Sequence, residues 1–434
     1  MNLTQRDAQA IWHPFTQHAT AANPVGISRG KGAYLFDENN HALLDLISSW
    51  WVNLHGHAHP TIAKAIYDQA MQLEHVIFAG FTHEPAVQLA ENLLTVLPSN
   101  LKKVFYSDNG STAIEVALKM AYQFWYNQGQ KQKQTFIAFE RGYHGDTFGA
   151  MALGKSSGYF HAYENFLFEV KTFAFPQTWH GCITAEKDEQ LVLRQLENYL
   201  AQSGETVIGM LIEPLIQGAG GMRMCRSNFL VALKKLCQKY QVLLIFDEVM
   251  TGFYRTGEYF AATKAAVAPD IMCLAKGITG GFLPLAATVC TEAIYAAFLS
   301  QTFQKTLVHG HSYTANPLGC AAGLASLKLL QQRETQSNIK QIVATHEQQL
   351  QMLASCKNVK RARQTGTIAA FELSDQFAYA SPASQALQHR FAKRGLLIRP
   401  LGNVIYLMPP FCITPEELIE SYTILMEELS EVTV

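Results

Sequence analysis

Two uninterrupted apolar runs, Val207 to Ile212 and Val242 to Phe246, stand on either side of a segment, Asn228 to Tyr240, whose apolar residues recur at helical spacing. No other feature constrains the fold as strongly. A strand that is apolar on both faces must be covered on both, and that is the situation of a parallel sheet flanked by helices. The reading is an α/β fold with a mostly parallel central sheet. Residues 46–334 are expected to form one large domain. Residues 1–45 carry turn signals such as Asn23-Pro24 and Glu38-Asn39-Asn40, and the last hundred residues begin with a polar helix around 331–352 and end in the strand-like Val404 to Leu407. These two ends, 1–45 and 335–434, are expected to combine into a smaller α+β domain.

Charge removes several classes of function. Lys plus Arg number 34 against 35 Asp plus Glu, so no basic field exists to attract nucleic acid or an anionic membrane, and neither is an expected partner. No apolar stretch approaches the roughly 18 to 20 residues of a membrane span, and Met1 to Asp7 lacks a signal-peptide apolar region, so a cytoplasmic location is expected. The eight cysteines are scattered, form no Cys-x-x-Cys pair and in part lie inside apolar segments such as Ile271 to Leu274, which reads as reduced, buried thiols. The alternating histidines of His55-Gly56-His57-Ala58-His59 imitate a ligand cluster but lack the carboxylate of a His-Glu-x-x-His pattern, and no metal is expected.

Three segments carry chemistry. Tyr106 to Thr112 precedes the helical series Ile114, Ala117, Leu118, Ala121 and Trp125, and Thr112 with Glu115 fits a capping box, leaving the N–H groups of Gly110 and Ser111 free to face an anion. Taken alone, that segment is better read as an ordinary helix cap, because glycine turns before helices are common. The pattern is neither Gly-x-Gly-x-x-Gly nor a Walker loop, which counts against dinucleotides and nucleoside triphosphates. Asp247 follows directly on an apolar run, at the carboxyl end of a presumed central strand where open α/β sheets bind ligands; a routine strand-end cap is the competing reading. Lys276 ends the apolar run from Ile271 and precedes the glycine-rich Gly277 to Gly281. It is either a lysine that snorkels to water or a desolvated amine suited to Schiff-base chemistry. A phosphate cradle at Gly110 and Ser111, an acid at Asp247 for a pyridine nitrogen and an amine at Lys276 for an aldehyde are together the three groups that pyridoxal 5′-phosphate requires.

Five further segments, Trp12 to Thr16, Ser48 to Trp51, Gly142 to Met151, Gln217 to Met224 and Ile398-Arg399-Pro400, extend the pattern across the chain. With them the sequence resembles the class III pyridoxal-phosphate aminotransferases over nearly its whole length. The resemblance implies the type I fold of pyridoxal-phosphate-dependent transferases. It also implies a ping-pong transamination of small molecules in which 8-amino-7-oxononanoate becomes 7,8-diaminononanoate, a step of biotin biosynthesis, with S-adenosylmethionine as donor. It assigns the cofactor to Gly110, Ser111, Tyr143, Asp247 and Lys276, with Lys276 catalytic and Tyr143 stacked on the ring. His311 and Ser312 would reach the phosphate from the neighbouring subunit of a homodimer. The substrate falls to Phe15, Trp50, Tyr143, Lys276, Gly310 and Arg399, the last pairing bidentately with a carboxylate. Trp50 and Trp51, as neighbours on a strand, would face opposite ways, so only one is expected in the pocket.

Two departures stand within the resemblance. Phe15 stands where the family usually has tyrosine, which removes a hydroxyl from the donor side. Gly310-His311-Ser312 replaces Gly-Pro-Thr and keeps a hydroxyl without the proline restriction. Conversely, Ala219 stands where ornithine- and aminobutyrate-type relatives tend to carry glutamate, which favours the branch that acts on 8-amino-7-oxononanoate. Lysine as donor, another class III omega-aminotransferase, a pyridoxal-phosphate aminomutase and a non-catalytic protein whose matching residues are incidental caps remain open at this stage.

Overall fold

The computed structural model describes residues 1–377 and 381–430. Its centre is a seven-stranded sheet in the order Leu101–Ser107, Ala286–Thr291, Ile271–Leu274, Leu243–Asp247, Val207–Ile212, Thr135–Phe139, Val170–Phe173. Only Ala286–Thr291 runs against the rest. The fold is α/β, as the two apolar runs predict, and every residue of Val207–Ile212 and of Leu243–Asp247 is buried. The helix Ser227–Lys239 between them buries Phe229, Leu230, Leu233 and Cys237, while Gly110–Asn127 covers the sheet with Ile114, Ala117, Leu118, Ala121 and Trp125. Each large side chain so removed from water contributes about 1.5–3 kcal/mol, which is why the continuous apolar pattern is structural information.

Because the strands run one way, their carboxyl ends share one edge, and the segments after Ser107, Phe139, Ile212, Asp247 and Leu274 emerge there together. The chain ends meet elsewhere: Leu396–Leu397 pairs in parallel with Ala42–Asp45, which continues the antiparallel strands Ile27–Lys31 and Tyr34–Asp37. A second sheet of Lys360–Thr365, Ile368–Glu372 and Val404–Leu407 is antiparallel and lies towards the same edge through its apolar contacts with Trp51, Met222 and Met250. The polar helix near 331–352 is Arg333–Leu353, held to Pro415–Ser430 by a buried His346–Tyr422 contact of 2.7 Å.

Two local expectations are corrected. The helix at Gly110 is capped by Asn109, whose side chain accepts from Thr112 N, with the Thr112 hydroxyl returning to the Asn109 backbone. Glu115, one turn further on, accepts instead from Gly149 N at 2.7 Å and Ala150 N at 3.2 Å, and so caps the helix Phe148–Leu153. Ser48 to Trp51 is no strand. All four residues have φ between 45° and 75°, a left-handed turn that costs non-glycine residues about 1–2 kcal/mol each and is held by surrounding contacts such as Ser48 Oγ to Met408 O at 2.7 Å.

None of the described helices is long and apolar enough to cross a membrane. All eight cysteines are free thiols, with Cys225, Cys237, Cys273, Cys290 and Cys320 buried and Cys182, Cys356 and Cys412 partly so. The alternating histidines go to separate partners: His55 to Ser326 Oγ at 3.0 Å and His57 to Asp45 at 3.0 Å, while His59 precedes the helix Pro60–Ala70.

Candidate active site

A cavity of about 830 Å³ opens at the carboxyl edge of the central sheet. Its lining brings together Gly110, Ser111, Tyr143, Asp247, Lys276, Phe15, Trp50 and Arg399 from seven separate places in the chain. Gly310, His311 and Ser312 are not among the residues that line it; Gly310 and Ser312 are exposed, and His311 carries a buried Nε2 with no hydrogen-bond partner among the described residues. Trp50 and Trp51 both line the cavity, against the expectation that one would turn away, because a left-handed turn does not alternate as a strand does.

Asp247 is the last residue of its strand and is buried. Its Oδ2 meets His144 Nδ1 at 2.7 Å and its Oδ1 accepts from Val249 N at 3.1 Å, so both oxygens have fixed partners. The adjacent Glu248 accepts from Ala261 N, Ala262 N and the Thr251 hydroxyl, and serves the packing of Ala261–Ala265. Two consecutive carboxylates thus separate into one that faces the cavity and one that does not, as the two faces of a strand require.

Lys276 has φ +49°, a strained conformation for a lysine, and its Nζ lies 5.0 Å from the centre of the Trp51 ring. Burial lowers its pKa, against the opposing charges of Asp247 and Glu213. The amine therefore holds its proton less firmly than a surface lysine does. Tyr143 is pushed up by burial and then by the charge and hydrogen bond of Asp146.

Two residues missed from the sequence tighten the site. His144 folds back towards Asp247 across Gly142, where a Cβ would stand 2.9 Å from His144 Nε2. Glu213, buried directly after Val207–Ile212, accepts from Tyr143 N at 3.1 Å and Gly218 N at 2.7 Å. Burial raises its pKa to about 7, the neighbouring His144 opposing and the negative charge of Asp247 adding. The signal that singled out Asp247, an acid directly after an apolar run, applies to Glu213 as well and would have found it.

The donor set fits a phosphorylated pyridine aldehyde. The start of Gly110–Asn127 presents free N–H groups and the positive end of a long helix. Side chains are excluded there, since a Cβ on Gly110 would lie 2.6 Å from Val249 and one on Gly145, at φ +123°, 2.3 Å from Ser111. Ser111 Oγ and Thr147 Oγ1, 2.7 Å apart, add hydroxyls at the same end. On the opposite side Arg399 stacks on Trp50 at 4.4 Å and has no carboxylate partner among the described residues. Phe15 packs edge-on to Trp50 and Tyr159.

The model of the aminotransferase class-III family matches residues 16–429. An adenosylmethionine-8-amino-7-oxononanoate aminotransferase of Synechococcus elongatus is 50% identical over 423 residues, covering 97% of this chain and 99% of the relative. A crystal structure of the enzyme of that name from Methanocaldococcus jannaschii superposes with a TM-score of 0.92 at 35% identity, covering 100% of this chain and 99% of the other. An amine transaminase from an uncultivated Pseudomonas species, solved in its PLP-bound form, gives a TM-score of 0.92 at 31% identity over 98% and 99% of the two chains. With the family model matching residues 16–429 and nearly its full length shared with these proteins, the chain belongs to the class-III aminotransferases.

Proposed function

We propose that this chain transfers an amino group to the ketone of 8-amino-7-oxononanoate, forming 7,8-diaminononanoate in biotin biosynthesis, with S-adenosylmethionine as the donor and pyridoxal 5′-phosphate as the cofactor. The observation that carries the reading is the convergence of Lys276, Asp247 and Arg399 on one cavity. The names of the relatives at 50% and 35% identity support the substrate.

Pyridoxal 5′-phosphate, when bound, supplies an electron-accepting ring that stabilises negative charge on the carbon beside the transferring nitrogen. Gly110 and Ser111 hold its phosphate, Tyr143 its ring face, and Lys276 its aldehyde. Asp247 keeps the ring nitrogen protonated, and His144 fixes the carboxylate that does so. Lys276 Nζ, with its lowered pKa, takes the proton from the donor carbon and holds it for the return step. Arg399 receives the carboxylate of the keto acid through a bidentate contact while Trp50 lines the chain. Asp146, beside Tyr143, lines the same cavity. The two half-reactions use one cavity, so the spent donor leaves before the keto acid enters.

A homodimer completes the site in this reading, with His311, Ser312 and Gly310 reaching the cavity of the second copy. Around them Phe303, Val308 and Tyr313 are 72%, 69% and 65% exposed, an apolar surface that a second copy would cover. The test is borohydride trapping followed by peptide mass spectrometry. An adduct on Lys276, absent from Lys276→Ala, is expected; an adduct elsewhere, or none, overturns the reading. Adding S-adenosylmethionine and lysine separately, and following the loss of the visible chromophore, decides between the donors.

A further inference from the structure

The hairpin loop Gly218 to Met222, between Ile216–Gln217 and Arg223–Met224, puts Ala219 on the cavity wall. Two of its glycines leave no space for a side chain. A Cβ on Gly218 would stand 2.6 Å from Met250 and 3.1 Å from the Trp51 ring, and one on Gly220 would stand 2.3 Å from Arg141 O. At its start Gly218 N donates to Glu213 from the central sheet. At its end Arg363, a buried residue of Lys360–Thr365, donates from Nε to Met222 O and from Nη2 to Gly221 O, each at 2.7 Å. The remaining Nη1 goes to Arg361 O at 2.8 Å and to Glu372 at 3.1 Å.

The position of Arg363 gives this clamp a direction. Its strand belongs to the same sheet as Val404–Leu407, and Leu401, two residues after Arg399, bridges to Val404 at the edge of that sheet. One sheet therefore sets both the guanidinium that receives a carboxylate and, through Arg363, the wall that the chain of the acceptor must pass. A planar guanidinium spans two successive carbonyls, whereas an ammonium on a flexible stem cannot hold both in one geometry.

We propose that Arg363 is a positioning residue for chain-length specificity, holding Ala219 at a fixed distance from Arg399 through the backbone of Gly221 and Met222. The inference rests on the proposed role of Arg399. Its test uses a ladder of acceptors: 8-amino-7-oxononanoate and its homologues two methylenes shorter and longer, measured with the holoenzyme. Arg363→Lys is expected to raise KM for the best acceptor about tenfold and flatten the ladder, leaving kcat and the donor half-reaction within about twofold. Glu372→Gln, which removes the ion pair and spares both carbonyl contacts, is expected to keep the ladder of the parent protein. Ala219→Val is a second handle, expected to move the maximum to the shorter homologue. An unchanged ladder in Arg363→Lys, an equal flattening in Glu372→Gln, or an unmoved maximum in Ala219→Val overturns the proposal. A parent ladder that peaks at another length counts against the assigned substrate and still tests the clamp.

Discussion

Replacing His144 by alanine isolates the support of the Asp247 carboxylate. In the native site His144 Nδ1 lies 2.7 Å from Asp247 Oδ2, with both side chains buried, and no other side chain among the described residues shares that oxygen. A hydrogen bond to a charged group contributes about 1.5–3 kcal/mol. At 1.36 kcal/mol per factor of ten, losing it from the state in which Asp247 must hold a protonated ring nitrogen slows the half-reaction by about 10- to 150-fold. Asp247 keeps its contact with Val249 N, so the carboxylate stays in the cavity and the cofactor is retained. Stopped-flow decay of the bound chromophore with saturating donor measures the rate, and its absorbance measures occupancy. His144→Asn, whose amide can donate from nearly the position of Nδ1, is expected to recover most of the loss. Full occupancy with an unchanged rate in His144→Ala would refute the reasoning, as would equal damage in His144→Asn.

The remaining predictions concern the two ends of the cavity and its buried acid. Arg399→Ala should raise KM for the keto acid by about 10- to 100-fold, from the loss of a charged bidentate contact, while leaving the donor half-reaction within about twofold; single-turnover kinetics of each half check this. Phe15→Tyr places a hydroxyl beside Trp50 and Tyr159 and should change the ratio of rates with S-adenosylmethionine and lysine, which parallel chromophore assays would detect. Glu213 has its pKa raised from 4.5 to about 7 by burial, so the folded protein holds a proton that the unfolded chain releases. Its contribution is present below about pH 4.5 and is lost as pH rises towards 7. Glu248, raised to about 7 in the same way, adds a slope of the same sign to parent and variant alike. Denaturant unfolding of Glu213→Gln should therefore show a shallower loss of stability across that window than the parent, and identical slopes would remove Glu213 from the account.

What was legible in the sequence was local. The strands at 207–212 and 243–247 announce themselves because burial on two faces leaves only apolar residues, and Asp247 and Lys276 are visible because a charge at the end of such a run is conspicuous. The glycine turn at Gly110 is visible for a related reason, since a backbone that must approach a ligand sheds its side chain. Pairings across long stretches of chain leave no such mark. His144 and Asp247 are 103 residues apart and Arg363 and Gly221 142 apart, and each partner taken singly looks like an ordinary polar residue. Even the capping residue of Gly110–Asn127 was misassigned, because Thr112 with Glu115 and Asn109 with Thr112 both satisfy the spacing and only the backbone chooses between them.

By itself, then, the order of residues determined the layered α/β architecture, the edge of the sheet where the cavity lies and three groups that line it, Gly110, Asp247 and Lys276. Tertiary structure alone decided how those groups are oriented: the left-handed turn that brings both Trp50 and Trp51 to the cavity, the histidine behind the acid, and the arginine that holds the wall. The physical reason is that hydrophobic periodicity is a property of neighbours along the chain, whereas strain and buried polar partnership are determined by neighbours in space.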